Sequence, residues 1–294
     1  MAEPIALVAP APVATRDRKA QLWRFARRNP TIVLGSAILA FMALAAILAP
    51  LFAGDALTML PANRLRPPSA EHWFGTDNLG RDVFARTVYG AQISLLVGLS
   101  VAAISVVLGL AIGLAAGNSR RLDGPIMRVM DGVMAIPAIL LAIALVSLSR
   151  ASVGIVIAAI VIPEVPRVVR LVRSVVLTVR EQPFVEAAIS GGSRRIKILL
   201  RHILPSTIAP LIVQATYICA SAILVESALS FLGAGTPPEI PTWGNMIASS
   251  RLFLSRAPWT IFFPGACLAI VVLAVNLLGD GLRDRLDPRL ARRM

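Results

Sequence analysis

Long runs without a charge divide the chain. Residues 29–54 hold no charge over 26 positions, 87–119 none over 33, and 132–149 none over 18. Residues 202–225 add 24 such positions and 257–279 add 23. Each run reaches the roughly 18 apolar residues that a helix needs to cross a bilayer. A further run, 151–163, has only 13 positions before Glu164 and Arg167. It is short alone, but the chain must recross there for the flanking charges to fall on consistent sides. The pattern predicts an all-α, polytopic membrane protein with six transmembrane helices, the fourth the weakest. Pro137 and Pro163 are expected to kink their helices. Glu164, between Pro163 and Pro166, is expected to mark where the fourth span loosens, and Asp131 to mark one membrane interface.

The charges between the runs set the orientation. With the N-terminus inside, 22 of the 29 Lys and Arg residues lie on the cytoplasmic side and 7 on the outer side. That bias is the signature of cytoplasmic loops, so both termini are expected inside, in a bacterial cytoplasmic (inner) membrane. The resulting segments are a tail over 1–28, a first helix over 29–54 and an outer loop over 55–86. A core of five helices follows over 87–280, and a short Arg-rich tail over 281–294. Within the core, residues 164–205 read as a long basic cytoplasmic loop and 233–256 as a second outer loop. The basic start, with Arg16, Arg18, Lys19, Arg24, Arg27 and Arg28, precedes an apolar run longer than a signal peptide's. No small-residue cleavage site is evident, so the run is expected to stay as a span.

Composition narrows the class. The chain is 56% hydrophobic and 15% charged, against about 25% charged for a soluble domain. Mean hydropathy is +0.76. A soluble protein of 294 residues could not bury so much apolar surface. A soluble enzyme, a disordered chain and a disulfide scaffold are excluded. The net charge of +13 would suggest nucleic acid in a soluble protein; here basic loops explain it, and the expected surroundings are the lipid bilayer. Cys219 and Cys267 lie in apolar runs and read as small hydrophobes. His72 and His202 are isolated and form no metal site. A nucleotide-binding P-loop needs Gly-Lys-Ser/Thr, and neither Lys19 nor Lys197 follows a glycine. With no nucleophile constellation either, no catalytic residues are expected.

The basic loop carries the chemistry. From Arg180 it reads REQPFVEAAISGGSRRIKILLRHILP. Pro183 suits a first helical turn, Glu181 and Glu186 suit its positive end, and Gly191-Gly192 suits its stop. Ser193 can cap a second helix. There Ile196, Leu199, Leu200 and Ile203 fall at i, i+3, i+4 and i+7 as one apolar stripe. Leu204-Pro205 is expected to end that helix. Two short helices around glycines make a knob another protein could grip; the alternative is an amphipathic element lying on anionic lipid.

The spacing of Glu186-Ala187-Ala188, Gly192 and Leu204-Pro205 resembles the EAA loop of ATP-binding-cassette (ABC) importer permeases. His202 replaces the aliphatic residue common two before the leucine, and Arg-His-Ile-Leu-Pro resembles the peptide-importer branch. Trp73-Phe74-Gly75-Thr76-Asp77 with Gly80-Arg81-Asp82-Val83 is similar to the C-type permeases of dipeptide, oligopeptide and nickel importers. So are Leu229-Ser230-Phe231-Leu232-Gly233 and the ending from Asn276 to Pro288. The resemblance covers about residues 20–290.

It implies a permease subunit that forms half of a translocation path for short peptides; nickel, glutathione or opine-like solutes are the alternative. It implies a B-type permease partner, two cytoplasmic ABC ATPase subunits and an extracytoplasmic binding protein. ATP and Mg would sit on the ATPases, with no cofactor on this chain. Glu186, Ala187, Ala188, Gly192, Leu204 and Pro205 are the expected ATPase-coupling residues. Glu226 has two readings: a pathway or gating carboxylate, because a buried charge in a membrane is costly, or a helix-end residue bonded within the subunit. A secondary transporter would need no ATPase, but would usually show more spans and buried ionisable residues.

Overall fold

The computed structural model describes residue 23, residues 26–149 and residues 151–286. The tail expected over 1–28 and the last residues of the tail expected over 281–294 lie largely outside these. Among the described residues there is no β-strand, only one isolated bridge between Thr76 and Asp82. The helices are α1 (Pro30–Phe52), α2 (Val83–Asn118), α3 (Arg120–Met134), α4 (Ala138–Ser147) and α5 (Val153–Arg180). They continue with α6 (Pro183–Ser190), α7 (Arg195–Ile198), α8 (Leu204–Phe231), α9 (Trp243–Ser250) and α10 (Trp259–Leu286).

The six-span expectation is met in part. By length and composition, α1, α2, α10 and the stretch Arg195–Phe231 can each cross a membrane. A fifth crossing exists only if α3 and α4 count as one broken span. The third span, expected as one helix over 132–149, is these two helices bent by 84°. Pro137 is the cause: it stands at the N-cap of α4, where its fixed φ of −54° and missing N–H stop the preceding turn.

The fourth span also differs. It does not loosen at Glu164. α5 runs unbroken for 28 residues through both Pro163 and Pro166. The loop expected over 164–205 is therefore helical up to Arg180. What makes α5 less apolar than the other long helices is its second half, with Arg167, Arg170, Arg173 and Arg180. The first three of those charges are matched by carboxylates. Arg167 Nη1 donates to Glu164 at 2.7 Å, and Arg170 Nη2 to Asp131 of α3 at 2.6 Å. Arg173 holds Asp123 of α3 with both Nε and Nη2.

The core of the fold is the parallel pair α2 and α5. Gly109, Gly113 and Gly117 of α2 face Val168, Val172 and Val176 of α5. A Cβ added at Gly113 or Gly117 would lie 2.7 Å from the opposing valine Cβ, and one at Gly109 closer still. Small residues every fourth position let two membrane helices touch along their backbones. All three valines are fully buried. α8 packs on the same pair through Ile218, Ile223 and Leu229, also fully buried. α1 is tied to α2 by Gln92, whose Nε2 donates to the Ala46 carbonyl at 2.6 Å. Cys219 is buried and Cys267 half-buried, both as free thiols.

Candidate functional site

The candidate site is the segment between α5 and α8. α6 begins at Pro183, where the missing N–H costs nothing because first-turn amides have no partner inside the helix. It ends at Ser190 with Gly191 as C-cap. Gly192 has φ +75°, a left-handed conformation costing about 1–2 kcal/mol for a residue with a Cβ. The Gly192 N–H donates to the Ile189 carbonyl at 2.9 Å and the Ser193 N–H to Ala188 at 3.0 Å. This paired bonding is a Schellman stop. Glycine at 192 is thus fixed by backbone geometry. Ser193 does not cap the next helix; Arg194 holds that position, with no side-chain cap bond.

Leu204-Pro205 does not end a helix either. α7 passes through one π-helical turn, Leu199–Ile203, directly into α8, with the Leu204 N–H bonded to the Leu199 carbonyl. Pro205 then sits in the first turn of α8. The wide turn also shifts the phase of the apolar face. Ile198 and Ile203 are the buried residues, while Ile196 and Leu200 are 59% and 54% exposed. The stripe expected from 3.6-residue spacing therefore fails at two of its four positions.

These turns leave Glu186, Ala187 and Gly192 exposed and Ala188 half-buried, whereas Val185, just before them, is fully buried. One apolar pin thus seats α6 while its polar face stays open. Leu204 is half-buried and Pro205 exposed at the start of α8. The Phe184 ring lies 6.2 Å from the His202 ring, an aromatic contact joining α6 to the π turn. A cleft of about 930 Å³ opens between this segment and the ends of α2 and α5.

Glu226 lies elsewhere, at the other end of α8. It is fully buried, and its Oε1 accepts from the Ser230 hydroxyl at 2.9 Å. The Thr236 and Thr242 hydroxyls also face it. The segment they belong to is held by Asn245, whose amide donates to the Thr236 and Pro237 carbonyls at 3.0 Å. Nearby, Trp243 is buried and its indole donates to the Thr87 carbonyl at 3.0 Å.

A polar cluster went unforeseen at this same end. Asp77 accepts from the amides of Leu79 and Arg81 at 2.8 and 2.9 Å and from Arg81 Nε at 2.7 Å. Arg86 Nε stands 3.8 Å away, and all three side chains are buried. Asp77 and Arg81 are four apart, a spacing that could have signalled the pair. His72 Nδ1 bonds Asp82 at 2.8 Å.

The geometry describes a membrane helix bundle with an exposed two-helix knob on one end. The family described as "Binding-protein-dependent transport system inner membrane component" matches residues 105–292. The chain belongs to this family. An "N-terminal TM domain of oligopeptide transport permease C" matches residues 20–68 of the permease. It is similar to "Probable peptide ABC transporter permease protein y4tQ" of Sinorhizobium fredii (strain NBRC 101917 / NGR234). The two are 63% identical over 92% of this chain and 93% of that one.

It is also similar to "Dipeptide transport system permease protein DppC" of Alkalihalophilus pseudofirmus (strain ATCC BAA-2126 / JCM 17055 / OF4). That identity is 45%, over 91% of this chain and 90% of that one. Among solved structures, a chain of the MetNI methionine ABC transporter in an inward-facing conformation shares the fold. Its TM-score is 0.57 and its identity 18%, over 69% of this chain and 96% of that chain.

Proposed function

We propose that this permease is the C-type membrane subunit of an ABC importer for short peptides. It forms half of a translocation path beside a B-type permease subunit. Two ABC ATPase subunits grip the paired coupling loops, and an extracytoplasmic binding protein delivers the peptide. ATP and Mg²⁺ belong to the ATPases, and this chain catalyses no reaction. Both termini face the cytoplasm.

The observation carrying the peptide reading is that relatives named for peptide and dipeptide transport align with nine-tenths of this chain. The coupling role rests on α6. Glu186 and Ala187 face outward beside the half-buried Ala188, Gly192 fixes its end, and Leu204-Pro205 carries the segment into α8. ATP-driven closure of the ATPases would move this stiff knob as a body and rock the attached helices. Glu226 ties the opposite end of α8 to the 236–242 segment, and so acts in positioning that segment.

Reconstitution tests the reading. With a B-type permease, ATPase subunits and loaded binding protein, labelled dipeptide should enter proteoliposomes only with ATP. ATPase activity should rise with the binding protein, since a ligand shifts an equilibrium by its differential affinity for two states. Flux by this chain alone under an ion gradient would make it a secondary transporter. Uptake of nickel without peptide would move it to the alternative substrate class. Cysteines at positions 65 and 240 should label only from outside, and one at 120 only from inside.

A further inference from the structure

The cleft between the coupling segment and the ends of α2 and α5 has no ligand in the reading above, and its assignment rests on that reading's orientation. Four arginines line it: Arg120 and Arg121 at the start of α3, Arg180 at the end of α5, and Arg195 in α7. Arg180 Nη1 donates to the Gly117 carbonyl at 2.8 Å, which fixes the guanidinium at the rim and leaves its other N–H groups free to point elsewhere. Arg120, Arg121 and Arg195 have no ion-pair partner among the described residues. No carboxylate lines the cleft. Of the acids nearby, Asp123 is held by Arg173, and Asp123 and Glu181 border an adjoining hollow that Arg120 and Arg180 also line.

Beside the arginines the lining is apolar, with Val185, Ile198 and Ile203 buried behind it and Ile189 exposed. A site that is basic on one wall and apolar on another suits an amphiphilic anion. Guanidinium groups match phosphate oxygens in pairs. Basic hollows between helices on the cytoplasmic side select anionic headgroups. The volume of about 930 Å³ also lies within the usual range for small-ligand clefts, roughly 300–1,000 Å³.

We propose that this cleft binds the phosphate of an anionic phospholipid from the cytoplasmic leaflet, with the apolar part of the lipid against Ile189. The lipid bridges α3 and α5 to the segment that carries the coupling loop. An acidic surface of a partner protein is the competing occupant.

The test uses the full chain in zwitterionic detergent micelles, so it needs neither substrate nor orientation. Binding of phosphatidylglycerol is measured against phosphatidylcholine by native mass spectrometry. Phosphatidylglycerol should be retained selectively. The double variant Arg120→Gln/Arg121→Gln should weaken it about thirtyfold, from roughly fivefold per arginine near an anionic surface. Arg180→Gln should weaken it as well. The matched double variant Arg66→Gln/Arg256→Gln, at the other end of the molecule, should leave binding unchanged. Displacement of the lipid by millimolar inorganic phosphate would reassign the site to free phosphate. Equal retention of both lipids, or equal binding by the two double variants, would overturn the proposal. So would an Arg120→Gln/Arg121→Gln variant that loses ATPase association while keeping the lipid.

Discussion

At the shoulder formed by residues 53–87, the buried Asp77 carboxylate accepts three hydrogen bonds and faces a second arginine at 3.8 Å. At the coupling loop, the Glu186 carboxylate is exposed and meets no partner among the described residues. The shoulder is also stitched to distant chain. Trp259 Nε1 donates to Thr76 at 3.3 Å, and Arg86 Nη1 to Ala56 at 3.3 Å. The loop touches its own body mainly through Val185, Ile198 and Ile203. Self-satisfied polar groups mark a surface complete within the subunit. Open ones, on an element with a rigid backbone stop, mark a surface that another subunit completes.

The sharpest way to break this contrast is at the shoulder. Asp77→Ala leaves two buried guanidinium groups without their carboxylate, which should cost about 3–5 kcal/mol. Thermal unfolding in detergent should show it, together with poor accumulation in the membrane. A shift no larger than a surface substitution gives would mean that the shoulder is not self-sufficient. Second comes the dry seam between α2 and α5. Gly113→Leu drives a side chain into Val172 and should cost about 1–3 kcal/mol by overpacking, whereas Gly124→Leu on exposed α3 should not.

At the loop, Gly192→Ala should cost about 1–2 kcal/mol through its left-handed backbone and lower ATP-driven uptake more than it lowers the melting temperature. Smallest in stability is Glu186→Lys, expected within about 0.5 kcal/mol of the parent. Yet it should abolish uptake while the subunit stays in the membrane. Normal uptake with Glu186→Lys would remove the loop's assigned role and leave the contrast one of exposure alone.

What the sequence made legible follows the same division. The runs 29–54, 202–225 and 257–279 foreshadow α1, α8 and α10, because apolar helices in lipid announce themselves by length. The glycine stop of α6 was legible because only one residue type suits its backbone. The extent of α5 was not, since charge counting ends a span at Glu164. There the charges are absorbed by Asp131 and Asp123, fifty residues or fewer back in sequence but on another helix. The bend at Pro137 was expected as a kink; its 84° depends on α3 pairing with α5. Asp77 and Arg81 stood out as motif residues but not as a buried cluster with Arg86, because Arg86 is drawn in by the Ala56 carbonyl, thirty residues back, which no local pattern encodes.

The π turn has a mechanical consequence. Because Leu199–Ile203 joins α7 to α8 without a break, Arg195–Phe231 is one shaft of 37 residues, about 55 Å long at 1.5 Å per residue. A hinge at this turn would dissipate a push on α7 as local bending. A continuous shaft instead delivers it as displacement and twist at the far end, where Glu226 and Ser230 stand against Thr236 and Thr242. The widened turn, like Pro210 further along, departs from regular winding, so rotation applied at one end is not bound to reach the other unchanged.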